Sequence, residues 1–269
     1  PQTSDCGFPC SEQGNKWTVG GAGRNGFVTL AEATSASLNT VFAQVALHED
    51  VGAEKIVEVA HRMGIRSPLT PVPSLVLGTP EVSTLEMASA YSNFATQGLW
   101  AEPFLISRIL DAEGNVIYEH EVKQERVLDE RVAAAALRPL RDVPTSAGTA
   151  PNANIGRPQG GKTGTHQSYR DAWYVGFTPE YSTAVWVGYE AQQQPLENVT
   201  INGNTYSRVF GGTVPAPLWA EFMSIVMEGI PESDFPPEPP GVDEYLTPPK
   251  TTVPNVVGLD VNTAIARLK

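Results

Sequence analysis

Long apolar runs, basic residues and cysteine are all scarce in this chain of 269 residues. No apolar run approaches the roughly 20 residues that a membrane helix needs, and the first residues lack the basic-then-apolar order of a signal peptide. Eighteen lysine and arginine residues face 30 acidic residues, which gives a net charge of −12. Because nucleic-acid binding depends on neutralising phosphates, this charge argues against a nucleic-acid partner.

The only two cysteines are Cys6 and Cys10. Neither has the companion cysteine or histidine residues that a zinc site requires, so no metal site is predicted there. Their spacing suits either a small disulfide loop or two free thiols, and the residues alone leave both alternatives open.

The apolar content is sufficient for a folded core, and proline marks how the chain is divided. Hydrophobic residues make up 41% of the sequence, enough for one large domain or two small ones. The run PESDFPPEPPGVDEYLTPPKTTVP is too rich in proline for the interior of a helix or sheet. We therefore expect a folded unit over 1–230, a semi-rigid linker over 231–251 and the start of a small α/β module over 252–269.

Hydrophobic periodicity predicts five helices in the large unit, near 29–48, 52–63, 84–97, 129–141 and 217–228. Two of them begin with capping-box spacing, Thr29 with Glu32 and Ser83 with Glu86. Alternating apolar runs predict two β-hairpins, with strands at 104–111 and 115–120 and at 171–178 and 182–189. This order predicts an α+β fold, an antiparallel sheet covered by helices, and not a doubly wound parallel sheet.

The segment NIGRPQGGKTGT contains a pattern typical of phosphate-binding loops. Gly156, Gly161, Lys162 and Thr163 have the spacing G-x-x-x-x-G-K-[ST]. That chemistry requires a buried strand before the loop and a helix after it, so that the first helical amides face the phosphates. No apolar strand precedes this segment, and an alternating strand pattern follows it. The sequence therefore disfavours nucleotide binding.

As part of a strand, Lys162-Thr163-Gly164-Thr165 has a different meaning. Alternation places the Thr163 and Thr165 hydroxyls on one face, where they could hold an anionic group together, and Lys162 on the opposite face. Gly164 permits close backbone approach. A K-T-G element is typical of serine β-lactamases and penicillin-binding proteins. On its own, however, K-T-G would by default be interpreted as a surface turn with a solvated lysine.

A second short element, Ser37-Leu38-Asn39, has the form S-x-N that the same proteins place beside their nucleophile. Alone it is also compatible with a helix cap. Its surroundings are more specific, because the chain resembles the transpeptidase domain of bifunctional (class A) penicillin-binding proteins over most of residues 17–229. Four blocks in the same order carry this resemblance: VTLAEATSASLNTVFAQ, SLVLGTPEVSTLEMASAYSNFATQG, GGKTGTHQSYRDAWYVGFTPEYSTAVWVGY and FGGTVPAPLWAEFM.

The resemblance implies a serine β-lactamase/transpeptidase-like fold and acyl transfer on peptidoglycan stem peptides. A serine attacks the D-Ala-D-Ala amide, the terminal D-alanine leaves, and the amine of a neighbouring stem resolves the acyl-enzyme into a cross-link. The implied partners are therefore these stem peptides, with β-lactam antibiotics as covalent inhibitors. No metal or organic cofactor is implied.

The resemblance also implies roles for individual residues. Ser37 would relay a proton toward the leaving amine, and Asn39 would hydrogen-bond the acyl-side amide of the substrate. Lys162 would supply positive potential and tune the proton relay. Thr163 and Thr165 would bind the terminal carboxylate, and the Thr165 N–H would form half of the oxyanion hole.

The sequence departs from the family at the nucleophile. The family's S-x-x-K should precede Ser37, but no serine in this chain is followed by lysine three positions later. Thr247 precedes Lys250 by that interval, but both lie in the proline-rich segment. We expect that the chain begins partway through the domain, and that this fragment alone does not form an acyl-enzyme.

The resemblance also predicts what lies at and beyond the two ends of the chain. The terminal VPNVVGLDVNTAIARLK resembles the start of a PASTA domain. In the family, a membrane anchor and a glycosyltransferase domain would lie upstream, and the site would face the cell wall outside the cytoplasm, where a Cys6–Cys10 disulfide would persist. A non-catalytic module that binds cell-wall muropeptides is the alternative. A β-lactamase fits less well, because its second motif is S-D-N.

Overall fold

The computed structural model describes residues 2–5, 16–19, 28–166, 168–192 and 194–246. The predictions for Cys6 and Cys10 and for the module over 252–269 concern residues outside these ranges. Within the ranges, no helix combines the length and the apolar content that a membrane span needs.

The described residues form helices and short antiparallel strands. The helices are α1 (Leu30–Ser35), α2 (Asn39–Ala46), α3 (Gly52–Arg62), α4 (Thr84–Ala95), α5 (Glu130–Asp142), α6 (Pro215–Val226) and α7 (Asp243–Leu246). The strands are β1 (Gln2–Asp5), β2 (Lys16–Val19), β3 (Leu99–Ala101), β4 (Arg108–Leu110), β5 (Val116–Glu119), β6 (Gln124–Arg126), β7 (Gly160–Thr165), β8 (Asp171–Phe177), β9 (Ser182–Gly188), β10 (Glu197–Ile201) and β11 (Asn204–Arg208). Short 3-10 turns lie at Pro73–Leu77 and Pro151–Ala153.

The central sheet has three antiparallel strands in the order β7-β8-β9. On one face, Phe177 packs with residues of α4 and α5, including Phe94 and Leu137. On the other face, Tyr174 contacts Trp219 of α6, with ring centroids 5.4 Å apart. Trp219 is fully buried and its indole N–H donates to the Gly176 carbonyl at 3.3 Å. Helices therefore cover both faces of an antiparallel sheet, which confirms the predicted α+β class.

Local signals in the sequence placed both predicted hairpins and two helix starts correctly, whereas β3, β6, β10 and β11 were not predicted. Both predicted hairpins form, from β4 with β5 and from β8 with β9. Both capping boxes also form, Thr29 with Glu32 and Ser83 with Glu86. In each box the hydroxyl of the first residue accepts from the backbone N–H of the glutamate, and the glutamate carboxylate accepts from the backbone N–H of the first residue. Each box satisfies amides that a helix start would otherwise leave without partners.

The continuous helix predicted over 29–48 is wrong, because the chain breaks between α1 and α2. Ser37 has a φ of +54°, in the left-handed region. The Leu38 N–H donates to the Ala33 carbonyl at 2.9 Å, and the Ser37 N–H donates to the Thr34 carbonyl at 3.2 Å. These two bonds define a Schellman motif, in which the left-handed position is usually glycine. A serine at this position does not predict the end of the helix.

The structure describes residues 231–246 of the predicted linker, and we call this segment the strap. The strap lies along α5. Its Phe235 is only 6% exposed and packs with Phe177 at a ring-centroid distance of 5.8 Å. Arg138 of α5 pairs with Glu238 and, at 2.9 Å, with Asp243. Further hydrogen bonds join the strap to the domain, from Arg157 to the Pro231 carbonyl, from Ser233 to Glu180 and from Gln97 to the Pro237 carbonyl. The boundary at residue 231 stays a prediction.

If the strap is part of the folded domain, removing its apolar anchor should destabilise the whole unit. We expect Phe235→Ala to lower the free energy of unfolding by about 3 kcal/mol, because it leaves a cavity beside the sheet. The measurement is urea unfolding followed by tryptophan fluorescence.

Phe222→Ala is the matched control for the strap, because Phe222 is 49% exposed on α6. Its effect should stay within about 1 kcal/mol. Equal effects of the two substitutions would show that the strap does not contribute to the fold.

Candidate active site

The two short elements identified in the sequence meet in the structure. The Lys162 ammonium on β7 donates to the Ser37 hydroxyl at 2.6 Å and to the Thr163 carbonyl at 3.1 Å. Ser37 and Lys162 are 125 residues apart in the chain. A contact over this separation depends on the tertiary fold, and it joins the S-x-N serine to the K-T-G lysine directly.

Helix α5 connects the two elements. It packs against α1 on one side and against β7 on the other. Ala33 of α1 and Ala133 and Ala134 of α5 are small and almost completely buried. The Schellman turn at the end of α1 then projects Ser37 toward Lys162. Asn39 opens α2 directly after this turn and is half-buried.

Lys162 lies in a poorly solvated position. Its side chain is half-buried, and desolvation lowers the pKa of its ammonium group from 10.5 to about 8. Burial disfavours the charged form of a lysine. The group is therefore still mainly protonated at neutral pH, but it gives up its proton much more readily than a lysine in water.

Thr163 and Thr165 share the opposite face of β7, as their alternation with Lys162 predicts. The Thr163 hydroxyl is 2.7 Å from the hydroxyl of Thr149, in the loop after α5. The Thr165 hydroxyl accepts from the Gly211 N–H at 3.1 Å. Between them, Gly164 lies against Trp173, where an added Cβ would be 3.1 Å from the tryptophan Cβ. The glycine thus keeps the strand close to its neighbour.

One edge of β7 has no strand partner among the described residues, since β7 pairs only with β8. The His166 N–H donates to the Asp171 carbonyl at 2.9 Å. Hydrogen-bonded and non-hydrogen-bonded pairs alternate along an antiparallel ladder. The backbone N–H and C=O groups of Thr163 and Thr165 therefore point toward the open edge, where an extended peptide could pair with them.

Two contributors to this site were missed in the sequence, Thr149 and Gly211. Nothing distinguishes Thr149 from other loop threonines before the fold is known. Gly211 had a signal, because two glycines in succession suggest a close approach of backbones. An added Cβ on Gly211 would lie 2.2 Å from the Trp173 carbonyl oxygen and 2.8 Å from the Gly164 carbonyl oxygen.

The structure does not support the phosphate-loop interpretation. Lys162 and Thr163 lie within β7, which continues as a strand to Thr165. The amides of a helix start are therefore not available behind the lysine, and these amides are what the phosphate loop requires. The separate cavity of about 400 Å³ beside Gly156 is lined by Arg141, Asn154 and Arg157 and does not include Lys162.

The fold and the site together define a class of protein. A helix-covered antiparallel sheet carries a K-T-G lysine on its edge strand, and this lysine holds an S-x-N serine. The helix-covered antiparallel sheet is similar in fold to solved structures of penicillin-binding proteins.

The chain belongs to the penicillin-binding protein transpeptidase domain family, which matches residues 7–223. Penicillin-binding protein 1A of Aquifex aeolicus is 38% identical over 216 residues, which cover 79% of this chain and 28% of that protein. The structure of the penicillin-binding protein PonA1 from Mycobacterium tuberculosis is 28% identical, with a TM-score of 0.72, over 83% of this chain and 62% of that one. A second PonA1 structure, in complex with penicillin V, has a TM-score of 0.70 at 27% identity and covers 83% of this chain and 63% of that one.

The chain spans less than a third of the length of the curated relatives that it matches, 28% for the Aquifex aeolicus protein and 31% for penicillin-binding protein 2D of Bacillus subtilis. The family match therefore concerns one domain of these longer relatives.

The left-handed backbone at Ser37 should have a measurable cost. We expect Ser37→Gly to be more stable than Ser37→Ala by about 1 kcal/mol, because only glycine adopts a positive φ without a Cβ clash. Both substitutions remove the hydroxyl, so the comparison isolates the backbone. Urea unfolding of the two variants measures the difference, and an equally stable alanine variant would contradict the strain.

The Lys162 side chain should titrate near pH 8 in the folded protein, because desolvation lowers its pKa to about 8. The Cε resonance of ¹³C-lysine-labelled protein, assigned by its loss in Lys162→Met, gives the midpoint. In urea the midpoint should return to the ordinary value of 10.5.

The same pKa shift fixes the sign of a stability change. Between pH 8 and 10.5 the unfolded chain still binds the Lys162 proton and the folded chain does not. The free energy of unfolding should therefore rise across this window relative to Lys162→Met. A midpoint at the ordinary value in the folded state, or no difference between the two stability profiles, would contradict the assigned pKa.

Proposed function

We propose that this chain is the substrate-holding part of a peptidoglycan D,D-transpeptidase, a serine-type acyltransferase that cross-links stem peptides ending in D-Ala-D-Ala. The hydrogen bond between Lys162 and Ser37 carries the proposal. It brings together a cation, a hydroxyl and an open strand edge, which are the groups that an acyl transfer onto a serine requires besides the nucleophile.

In the proposed reaction, Ser37 passes protons between Lys162 and the leaving amine. The Lys162 ammonium donates to Ser37 Oγ, so the hydroxyl proton of Ser37 is available for another acceptor. When the amide bond of the substrate breaks, the amine of the terminal D-alanine takes that proton, and Lys162 replaces it. A lysine with a pKa of about 8 suits this exchange, because proton transfer is most efficient when the pKa lies near the working pH.

The open edge of β7 would hold the substrate. An extended stem peptide would pair with the backbone of Thr163 and Thr165, and its terminal carboxylate would accept hydrogen bonds from the two hydroxyls. The Thr165 N–H would donate to the developing oxyanion. Asn39, at the start of α2, would bind the acyl-side amide. A donor of the oxyanion kind is worth about 2.7–4 kcal/mol of transition-state stabilisation.

The nucleophile would come from residues of the protein that this chain does not contain. No serine here has a lysine three positions later, and we propose that the missing S-x-x-K packs beside Ser37 and Lys162. The fragment alone would then hold substrate groups without forming an acyl-enzyme.

The same site would be the target of β-lactams in the complete protein, as the penicillin V complex of PonA1 suggests by likeness. We place the site on the outer face of the bacterial membrane, with its anchor and a glycosyltransferase domain in upstream residues. Residues 252–269 would begin a PASTA module. No cofactor takes part in the proposed reaction.

Fluorescent penicillin tests the proposal. The labelling is run on this chain and on a version extended upstream by about 100 residues, within ordinary domain size. We expect one adduct, on the extended chain alone, at a serine that lysine follows three positions later. Intact mass counts the adducts and peptide mapping locates the serine.

In the extended chain, Lys162→Ala should slow labelling by at least about 100-fold, the lower range for loss of general acid–base assistance. Lys55→Ala, on helix α3, is the matched control, because Lys55 bonds to the Asp50 carbonyl and not to the site, and it should label at the rate of the unmodified chain. If neither the short nor the extended chain is labelled, acyl transfer is the wrong function. An adduct at Ser37 itself would replace the relay with a nucleophilic role.

A further inference from the structure

The two threonine hydroxyls on β7 each have a hydrogen-bonding group behind them. For Thr165 that group is the Gly211 N–H, at 3.1 Å from the hydroxyl oxygen. An amide N–H can only donate, so the Thr165 oxygen is the acceptor in this bond. The single proton of the Thr165 hydroxyl is therefore left to be donated to something else.

Thr163 has a side chain behind it instead of an amide. The Thr149 hydroxyl is 2.7 Å from the Thr163 hydroxyl, and the geometry allows either oxygen to be the donor. Both side chains are half-buried. The direction of this bond decides whether the Thr163 proton points back to Thr149 or is free for a ligand.

We propose that Thr149 is a positioning residue, which donates to Thr163 and thereby keeps the Thr163 proton available for the carboxylate of a bound peptide. This inference rests on the proposed function. An ionised carboxylate only accepts hydrogen bonds, so Thr163 must donate to it. Thr163 then has to accept from Thr149, which is the arrangement that Gly211 imposes on Thr165.

The two hydroxyls thereby become a pair of parallel donors. Hydrogen bonds in a chain polarise one another, so a hydroxyl that accepts from behind is a better donor in front. A carboxylate that meets two such donors gains charge-assisted bonds. The pair accordingly favours a ligand with a free C-terminal carboxylate over one with a neutral end.

The loop that contains Gly211 supports both groups. Gly211 serves Thr165, and its neighbour Gly212 lies against the backbone of Thr149, where an added Cβ would be 2.3 Å from the Thr149 carbonyl oxygen. The N–H of the same peptide group, which belongs to Ala150, donates to the Val143 carbonyl at 3.0 Å. The peptide group that follows Thr149 is therefore held at both its C=O and its N–H.

The test measures binding of two dipeptides to the ¹⁵N-labelled chain of 269 residues. One is N-acetyl-D-alanyl-D-alanine and the other is its C-terminal amide, which lacks the carboxylate. Dissociation constants come from amide chemical shifts. The free spectrum of each variant shows whether it is folded.

The variants are Thr149→Val, which keeps the shape and removes the donor, and Thr149→Ser, which keeps the donor. We expect Thr149→Val to weaken binding of the acid about fivefold, the net effect of one neutral hydrogen bond, because Thr163 loses the donor that orients and polarises its hydroxyl, and binding of the amide less than twofold. Thr149→Ser should bind the acid within about twofold of the unmodified chain. If the valine variant does not fold, Thr149→Ala takes its place with the same expectation.

Equal weakening for acid and amide would overturn the proposal, because a purely structural role affects both ligands alike. Unchanged preference for the acid in Thr149→Val would overturn it as well. If the unmodified chain does not prefer the acid to the amide, the carboxylate site of the proposed function fails together with the role of Thr149. If the unmodified chain prefers the acid, and Thr149→Val binds the acid as tightly as Thr149→Ser does, the role of Thr149 is wrong but the proposed carboxylate site stands.

Discussion

The hydrogen bond from Lys162 to Ser37 depends on how the helices and the sheet pack together. A strand residue and a residue at a helix end can meet only if the elements between them are held rigidly. Helix α5 does this by packing on α1 and on β7. The strap then covers α5 from outside through Arg138 and Phe235. The packing of these elements thus holds the hydrogen bond between Lys162 and Ser37 in place.

Two residues of the site are individually unfavourable, and the packing of the surrounding elements has to offset the free energy that they cost. Ser37 occupies a left-handed backbone position that favours glycine, and the ammonium group of Lys162 is partly desolvated, which lowers its pKa. Residues held against their local preference are concentrated at functional sites, where the surrounding structure over-determines them. Both costs fall on the two partners of the same hydrogen bond, which is consistent with a functional requirement there.

Features with a local cause could be predicted from the sequence, whereas those with a tertiary cause could not. Capping boxes, hairpin turns and strand alternation act within a few residues, so they placed α4, the hairpins and the shared face of Thr163 and Thr165. The break at Ser37 was missed because periodicity continues through it and serine does not mark a left-handed turn. Thr149 was missed because its partner is 14 residues away on another element.

The composition of β7 has a consequence for how the molecules behave toward one another. A strand edge that would pair with a peptide in the proposed reaction is also open to the same strand of a second copy, which is how aggregation by edge pairing begins. Three of the six residues in GGKTGT are glycine and one is a lysine, and such a strand has low intrinsic β-propensity. The glycines and the charge of β7 therefore make this edge a poor template for self-association.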